Sequence, residues 1–142
     1  MGTNFPQNQQ HDDTIQLISE RLLHSGYSVL ADHINWAYGK PLAVEGVVPD
    51  IFAFNQHETI IYEVQTKDTF QDRSSLDKLR VFSKKSAYKT ILVIPLSLSI
   101  GLNEHISKAQ ELIKKYNLNV QLASCDLKRK EINFIQKLEG DI

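Results

Sequence analysis

The stretch Val47-Val48-Pro49-Asp50-Ile51-Phe52-Ala53-Phe54-Asn55-Gln56-His57-Glu58-Thr59-Ile60-Ile61-Tyr62-Glu63-Val64-Gln65-Thr66 decides how this chain is read. Two β-rich runs, 46–54 and 59–66, flank a short polar break at 55–58, the pattern of a hairpin. Each run holds one carboxylate among apolar neighbours, Asp50 in the first and Glu63 in the second. Such a carboxylate needs a partner or a metal. Closing the hairpin over 55–58 pairs Phe54 with Thr59 and Ala53 with Ile60, and the same register sets Asp50 opposite Glu63 on one face. Two close carboxylates repel, and a hard divalent cation such as Mg²⁺ relieves that repulsion. Gln65 and Lys67 share the face, because strand side chains alternate. Taken singly, Asp50 reads as a strand-entry residue and Glu63 as a solvent-facing position. Their joint placement favours a functional site.

Outward from this hairpin, helices and strands alternate. Asp13-Thr14-Ile15-Gln16 has the form of a capping box, and Ile15, Ile18, Leu22 and Leu23 recur at helical spacing up to Gly26, so a first helix is expected over about 13–25. Tyr27 to Ala31 reads as a strand and residues 34–45 as a loop containing Trp36, Tyr38 and Lys40. After the hairpin, Ser74 or Ser75 caps a second helix with Leu76, Leu79, Phe82 and Ser83 inward. Thr90 to Pro95 is a continuous apolar run, expected of a strand buried on both faces. Asn103 caps a third helix whose stripe is Ile106, Ala109, Ile113 and Tyr116, and Val120 to Ala123 is a further strand. Residues beyond Asp126 fit strand or helix, with a strand and then a loose end favoured. Residues 1–11 are read as a loose N-terminus and 12–142 as one domain.

The bulk properties set the outer bounds. The chain has 142 residues, 42% hydrophobic and 23% charged, which fits a single soluble globular domain and disfavours disorder. A lone cysteine, Cys125, excludes an internal disulfide and fits a reducing, cytoplasmic setting. No signal peptide is read at the N-terminus, and no apolar run approaches the ~20 residues that span a bilayer. The formal net charge of -1 argues against a polyanion partner, but it hides a split. Residues 1–66 hold two basic and eight acidic residues, whereas 67–142 hold 14 basic and nine acidic. An acidic, cation-binding part beside a basic remainder suits a metal site facing a polyanion; ordinary solvated helix faces give the same count.

Pro49-Asp50, followed after a hairpin by Glu63-Val64-Gln65, resembles the PD-(D/E)xK nuclease superfamily. That resemblance implies an α/β, restriction-endonuclease-like core, α-β-β-β-α-β with a mixed sheet flanked by helices, matching the order read here over roughly residues 12–95 and leaving a C-terminal α-β extension. It implies Mg²⁺ or Mn²⁺ held by Asp50, Glu63 and the Val64 carbonyl, activating water against a DNA phosphodiester. It also points to Glu20, since an acid on the first helix completes the metal site in several branches, Holliday-junction-resolvase-like ones included. One position departs from the pattern: Gln65 stands where the family has lysine. Glutamine can position water but supplies no charge, so Lys67, or Lys78 on the second helix, is the candidate cation.

Arg73, Lys78, Arg80, Lys84 and Lys85 follow the Glu63 strand and, with Lys40, form the expected nucleic-acid-binding set, against the plainer reading of a solvated helix face. Trp36 and Tyr38 could stack on bases, though packing under the loop is favoured. Five histidines show no metal-binding spacing, so zinc is unsupported. The expected function is a Mg²⁺-dependent nuclease acting on DNA as a homodimer, without membrane association. The rivals are a catalytically degenerate subunit that binds nucleic acid, and a protein-interaction module.

Overall fold

The apolar runs assemble into one sheet. In the computed structural model, which describes residues 5–66, 73–96 and 102–135, the elements are α1 (Phe5–His24), β1 (Ser28–Ala31), β2 (Ile51–Phe54), β3 (Thr59–Val64), α2 (Arg73–Ser83), β4 (Lys89–Pro95), α3 (Leu102–Lys115), β5 (Gln121–Asp126) and β6 (Glu131–Ile135). The six strands lie in chain order across the sheet. β1, β2 and β3 form an antiparallel meander, β3, β4 and β5 run parallel, and β6 returns antiparallel. The fold is therefore α/β, a six-stranded mixed sheet flanked by helices. Among the described residues no helix is long and apolar enough to cross a membrane.

Two apolar layers hold the sheet between its helices. On one face Ile15, Ile18 and Leu22 of α1 pack on Val29, Ile51, Tyr62, Val64, Ile91 and Val93. On the other, Leu79 of α2 and Ala109 of α3 pack on Leu92, Ile94 and Leu122. Successive β4 residues thus face opposite layers, which is why 90–95 is apolar throughout. Each fully buried aliphatic side chain contributes about 1.5–3 kcal/mol, a reserve against which the cost of a buried carboxylate must be set.

Two boundaries differ from the sequence reading. α1 begins at Phe5 rather than near residue 13, so the segment 1–11 is not a loose terminus beyond Phe5. Pro6 falls in the first turn, where its missing N–H costs nothing, and no breaker separates it from the apolar stripe. Asp13 is accordingly an exposed mid-helix residue that accepts a hydrogen bond from Gln9 Nε2 at 2.8 Å, not an N-cap. β2 starts at Ile51 rather than near residue 46, because Val44 and Val47 pair with each other around a two-residue turn. Residues 131–135 form β6, the strand favoured from the sequence.

That two-residue turn carries a small, clean prediction. Glu45 (φ 52°) and Gly46 (φ 79°) are both left-handed, the geometry of a type I′ hairpin turn, with Val44 N–H donating to Val47 at 2.7 Å and the reverse at 3.0 Å. Gly46→Ala places a side chain in this conformation and costs about 1 kcal/mol. The change reads out as a lower urea midpoint at unchanged slope.

Candidate functional site

The β2–β3 register is Phe54↔Thr59, Ala53↔Ile60, Phe52↔Ile61 and Ile51↔Tyr62, so the residue before β2, Asp50, comes beside Glu63. Because Asp50 lies just outside the strand, alternation does not dictate its direction. The two residues are joined by a reciprocal clasp. Asp50 N–H donates to Glu63 Oε1 at 2.9 Å, and Val64 N–H donates to Asp50 Oδ2 at 2.8 Å. Both are buried, Asp50 at 6% exposure and Glu63 at 1%. Carboxylates this deep are tolerated only with hydrogen bonds and counter-charge.

The counter-charges arrive from two helices packed on opposite faces. Lys78 Nζ of α2 lies 3.3 Å from Glu63 Oε2. His11 Nε2 of α1 lies 3.5 Å from Asp50 Oδ2, and its Nδ1 lies 3.3 Å from Asp12. Burial alone would lower the His11 pKa, but Asp50, and then Asp12, more than reverse this and raise it to about 9. Burial, reinforced by the Asp50 charge, pushes the Glu63 carboxyl well above the usual carboxylate range, with Lys78 and the Asp50 amide opposing. The pair is therefore electrostatically loaded toward accepting positive charge.

Gln65 follows directly, its N–H bonded to Val93 O at 2.9 Å and its side chain 4% exposed. Gln65 Oε1 is buried with no hydrogen-bond partner among the described residues. An orphaned buried acceptor is a place for a water. The donors are all oxygens, which suits Mg²⁺ or Mn²⁺, ions that are commonly held by one or two carboxylates and otherwise by water and phosphate. Among the described residues there is no cluster of three or more His, Cys, Asp or Glu side chains that could hold a metal.

The structure gathers only part of the expected set. Asp50, Glu63 and Lys78 come together at the end of β3, with Val64 its last residue and Gln65 following it in the chain. Glu20 does not join them: it is exposed and accepts from Gln16 Nε2 at 3.1 Å. It stands nine residues along α1 from His11, roughly 13 Å of helix. His11 is what α1 brings to the carboxylates, and sequence reasoning missed it. The signal was available, since His11, Thr14, Ile15 and Ile18 share one helical face. Lys67 lies outside the described residues, and Arg73 is the first residue of α2. Lys85 pairs with Glu45, Lys40 lies 3.9 Å from Asp32, and Arg80 sits 5.5 Å over the Tyr116 ring toward α3. Lys84 is exposed. Among the described side chains of the expected cationic row, only Lys78 reaches the carboxylates. Trp36 is half-buried and donates from Nε1 to Val29 O at 2.9 Å, the packing role favoured from sequence, while Tyr38 is 60% exposed.

Other chemistry finds no support. Cys125 is fully buried, and burial pushes its thiol up to about 11, so it is no nucleophile at neutral pH. Two surface clefts, one around His57, Ser86 and Asn119 and another around Gly26, Phe54 and Gln56, lie at the hairpin end of the sheet and share no residue with the carboxylate pair. Compared with known protein families and with curated proteins, the chain matches none.

Proposed function

We propose that the protein is a divalent-metal-dependent nuclease of restriction-endonuclease-like topology, hydrolysing DNA phosphodiester bonds. The observation that carries this reading is the buried Asp50–Glu63 clasp at the end of β3. The element order α1-β1-β2-β3-α2-β4, with β4 parallel to β3, supports the topology. Asp50 and Glu63, with the Val64 carbonyl, would hold Mg²⁺ or Mn²⁺. Bound there, the metal supplies a Lewis acid and lowers the pKa of a coordinated water.

The protein's own residues do the rest. Gln65 Oε1, lacking a partner, accepts a hydrogen bond from the attacking water and fixes its direction. Lys78, 3.3 Å from Glu63, supplies the positive charge that Gln65 cannot, facing charge that builds on the phosphate in the transition state. Lys84 and Lys40, both exposed, would meet flanking phosphates. A homodimer and a cytoplasmic setting belong to the same proposal.

A second reading has one observation in its favour: His11 and Lys78 already answer both carboxylates, as in a degenerate site that binds nucleic acid without cutting it. Incubation with linear, nicked and branched DNA, in Mg²⁺, Mn²⁺ or EDTA, separates the two. The nuclease reading predicts cleavage in either metal and none in EDTA. Salt-sensitive binding with no cleavage in any arm replaces it with the second reading, and neither binding nor cleavage rejects both.

A further inference from the structure

We propose that His11 is a built-in competitor for the metal position: its imidazole holds Asp50 in the metal-free protein, and a divalent cation must displace it to bind. This rests on the metal-centre reading above. Asp50 Oδ2 is engaged by Val64 N–H at 2.8 Å and faced by His11 Nε2 at 3.5 Å. Glu63 is likewise engaged by the Asp50 amide and faced by Lys78. The two basic residues are not equivalent. Lys78 reaches the clasp on a long flexible stem, so it can shift when a cation arrives. His11 is short and set on a helix fixed at this point. Gln10 Nε2 donates to Leu96 O at 3.1 Å, Thr14 Oγ1 donates to Gln10 O at 2.7 Å, and Ile15 and Ile18 are fully buried one and two turns on. The ring is also held from its other nitrogen by Asp12.

The imidazole does not double as a ligand in this arrangement. His11, Asp50 and Glu63 do not form a three-residue cluster able to hold a metal. For a cation to use Asp50, the contact with His11 must open. Because the helix is fixed, that opening falls to rotation of the His11 side chain alone, which must give up the Asp50 contact while its Nδ1 stays on the side of Asp12. Metal affinity is thus set partly by a helix that supplies no ligand.

The test is Mn²⁺ binding to the full chain without DNA, followed by calorimetry and by the metal-induced rise in Tm, for wild type, His11→Ala, His11→Lys and Asp50→Asn. Displacement predicts that His11→Ala binds Mn²⁺ about tenfold tighter, the scale of one charged contact removed from competition. His11→Lys, which restores a basic competitor, returns affinity to the wild-type level or below. A variant that merely loosened the fold would bind more weakly, so tightening is not a by-product of instability. Weaker binding by His11→Ala would make His11 a ligand and overturn the proposal, and unchanged binding would overturn it equally. If wild type binds and Asp50→Asn does not, the metal-centre reading survives whichever way His11 falls. If no form binds Mn²⁺, both fall together.

Discussion

Under the proposed nuclease function, Asp50→Asn is expected to reduce metal-dependent DNA cleavage to the uncatalysed background, a loss on the order of 10³-fold or more, while the protein stays folded. The substitution is chosen to separate chemistry from architecture. Asp50 has a structural duty, accepting the Val64 N–H at 2.8 Å, and the asparagine carbonyl oxygen can keep that bond. What is lost is the negative charge and one of the two carboxylates able to hold a cation. Glu20, the other acid expected at the site, is exposed and bonded to Gln16, so it does not compensate. Single-turnover cleavage of a labelled duplex, with a melting curve on the same sample, provides the measurement. Activity within tenfold of wild type would remove Asp50 from the site.

Glu63→Gln has the opposite sign on stability. Glu63 is 1% exposed, and burial together with Asp50 pushes its carboxyl above the ordinary value of 4.5. The folded state therefore binds this proton more tightly than the unfolded chain does. Stability contributed by the protonated form is full below the unfolded value and is lost as pH rises from about 4.5 toward the raised folded value. At neutral pH the wild type carries that penalty and Glu63→Gln does not. The amide keeps an acceptor for Asp50 N–H, and Lys78, whose side chain is 31% exposed, can turn to water. The expected gain in the metal-free protein is on the order of 1–2 kcal/mol at pH 7, shrinking to nothing below pH 4. Urea unfolding across that range checks it. Added Mn²⁺ should raise the wild-type midpoint and narrow the gap, because a ligand of the folded state alone stabilises it. A less stable Glu63→Gln at every pH would instead mark Glu63 as an ordinary structural ion-pair partner of Lys78.

The hairpin that decided the fold was legible because its loop length fixes register. Once 55–58 is the loop, Phe54 must meet Thr59, and Asp50 follows to Glu63. The apolar run 90–95 was legible for a related reason, since a strand covered on both faces leaves no polar alternation. Failures lie where tertiary context outranks local pattern. Asp13 has the local signature of a helix start, but Phe5-Pro6 is an equally good one, and the chain ahead of Asp13 carries no breaker. The cations of α2 point in different directions, which sequence proximity alone does not show. Lys78 faces the sheet end, whereas Arg80, two residues on, lies over Tyr116. His11 was invisible to a search for metal spacing because its partner is 39 residues away. The sequence reading left it in the loose segment 1–11, outside the first helix, and only the packing of α1 against the sheet end shows what it meets.

The most direct measurement of the central claim is anomalous diffraction from crystals grown or soaked with Mn²⁺. The account predicts one strong peak within coordination distance of both the Asp50 and Glu63 carboxylates and the Val64 carbonyl, with the His11–Asp50 contact opened and the peak absent in Asp50→Asn. A clasp that keeps its contacts to His11 and Lys78, with Mn²⁺ absent or bound elsewhere, would contradict it.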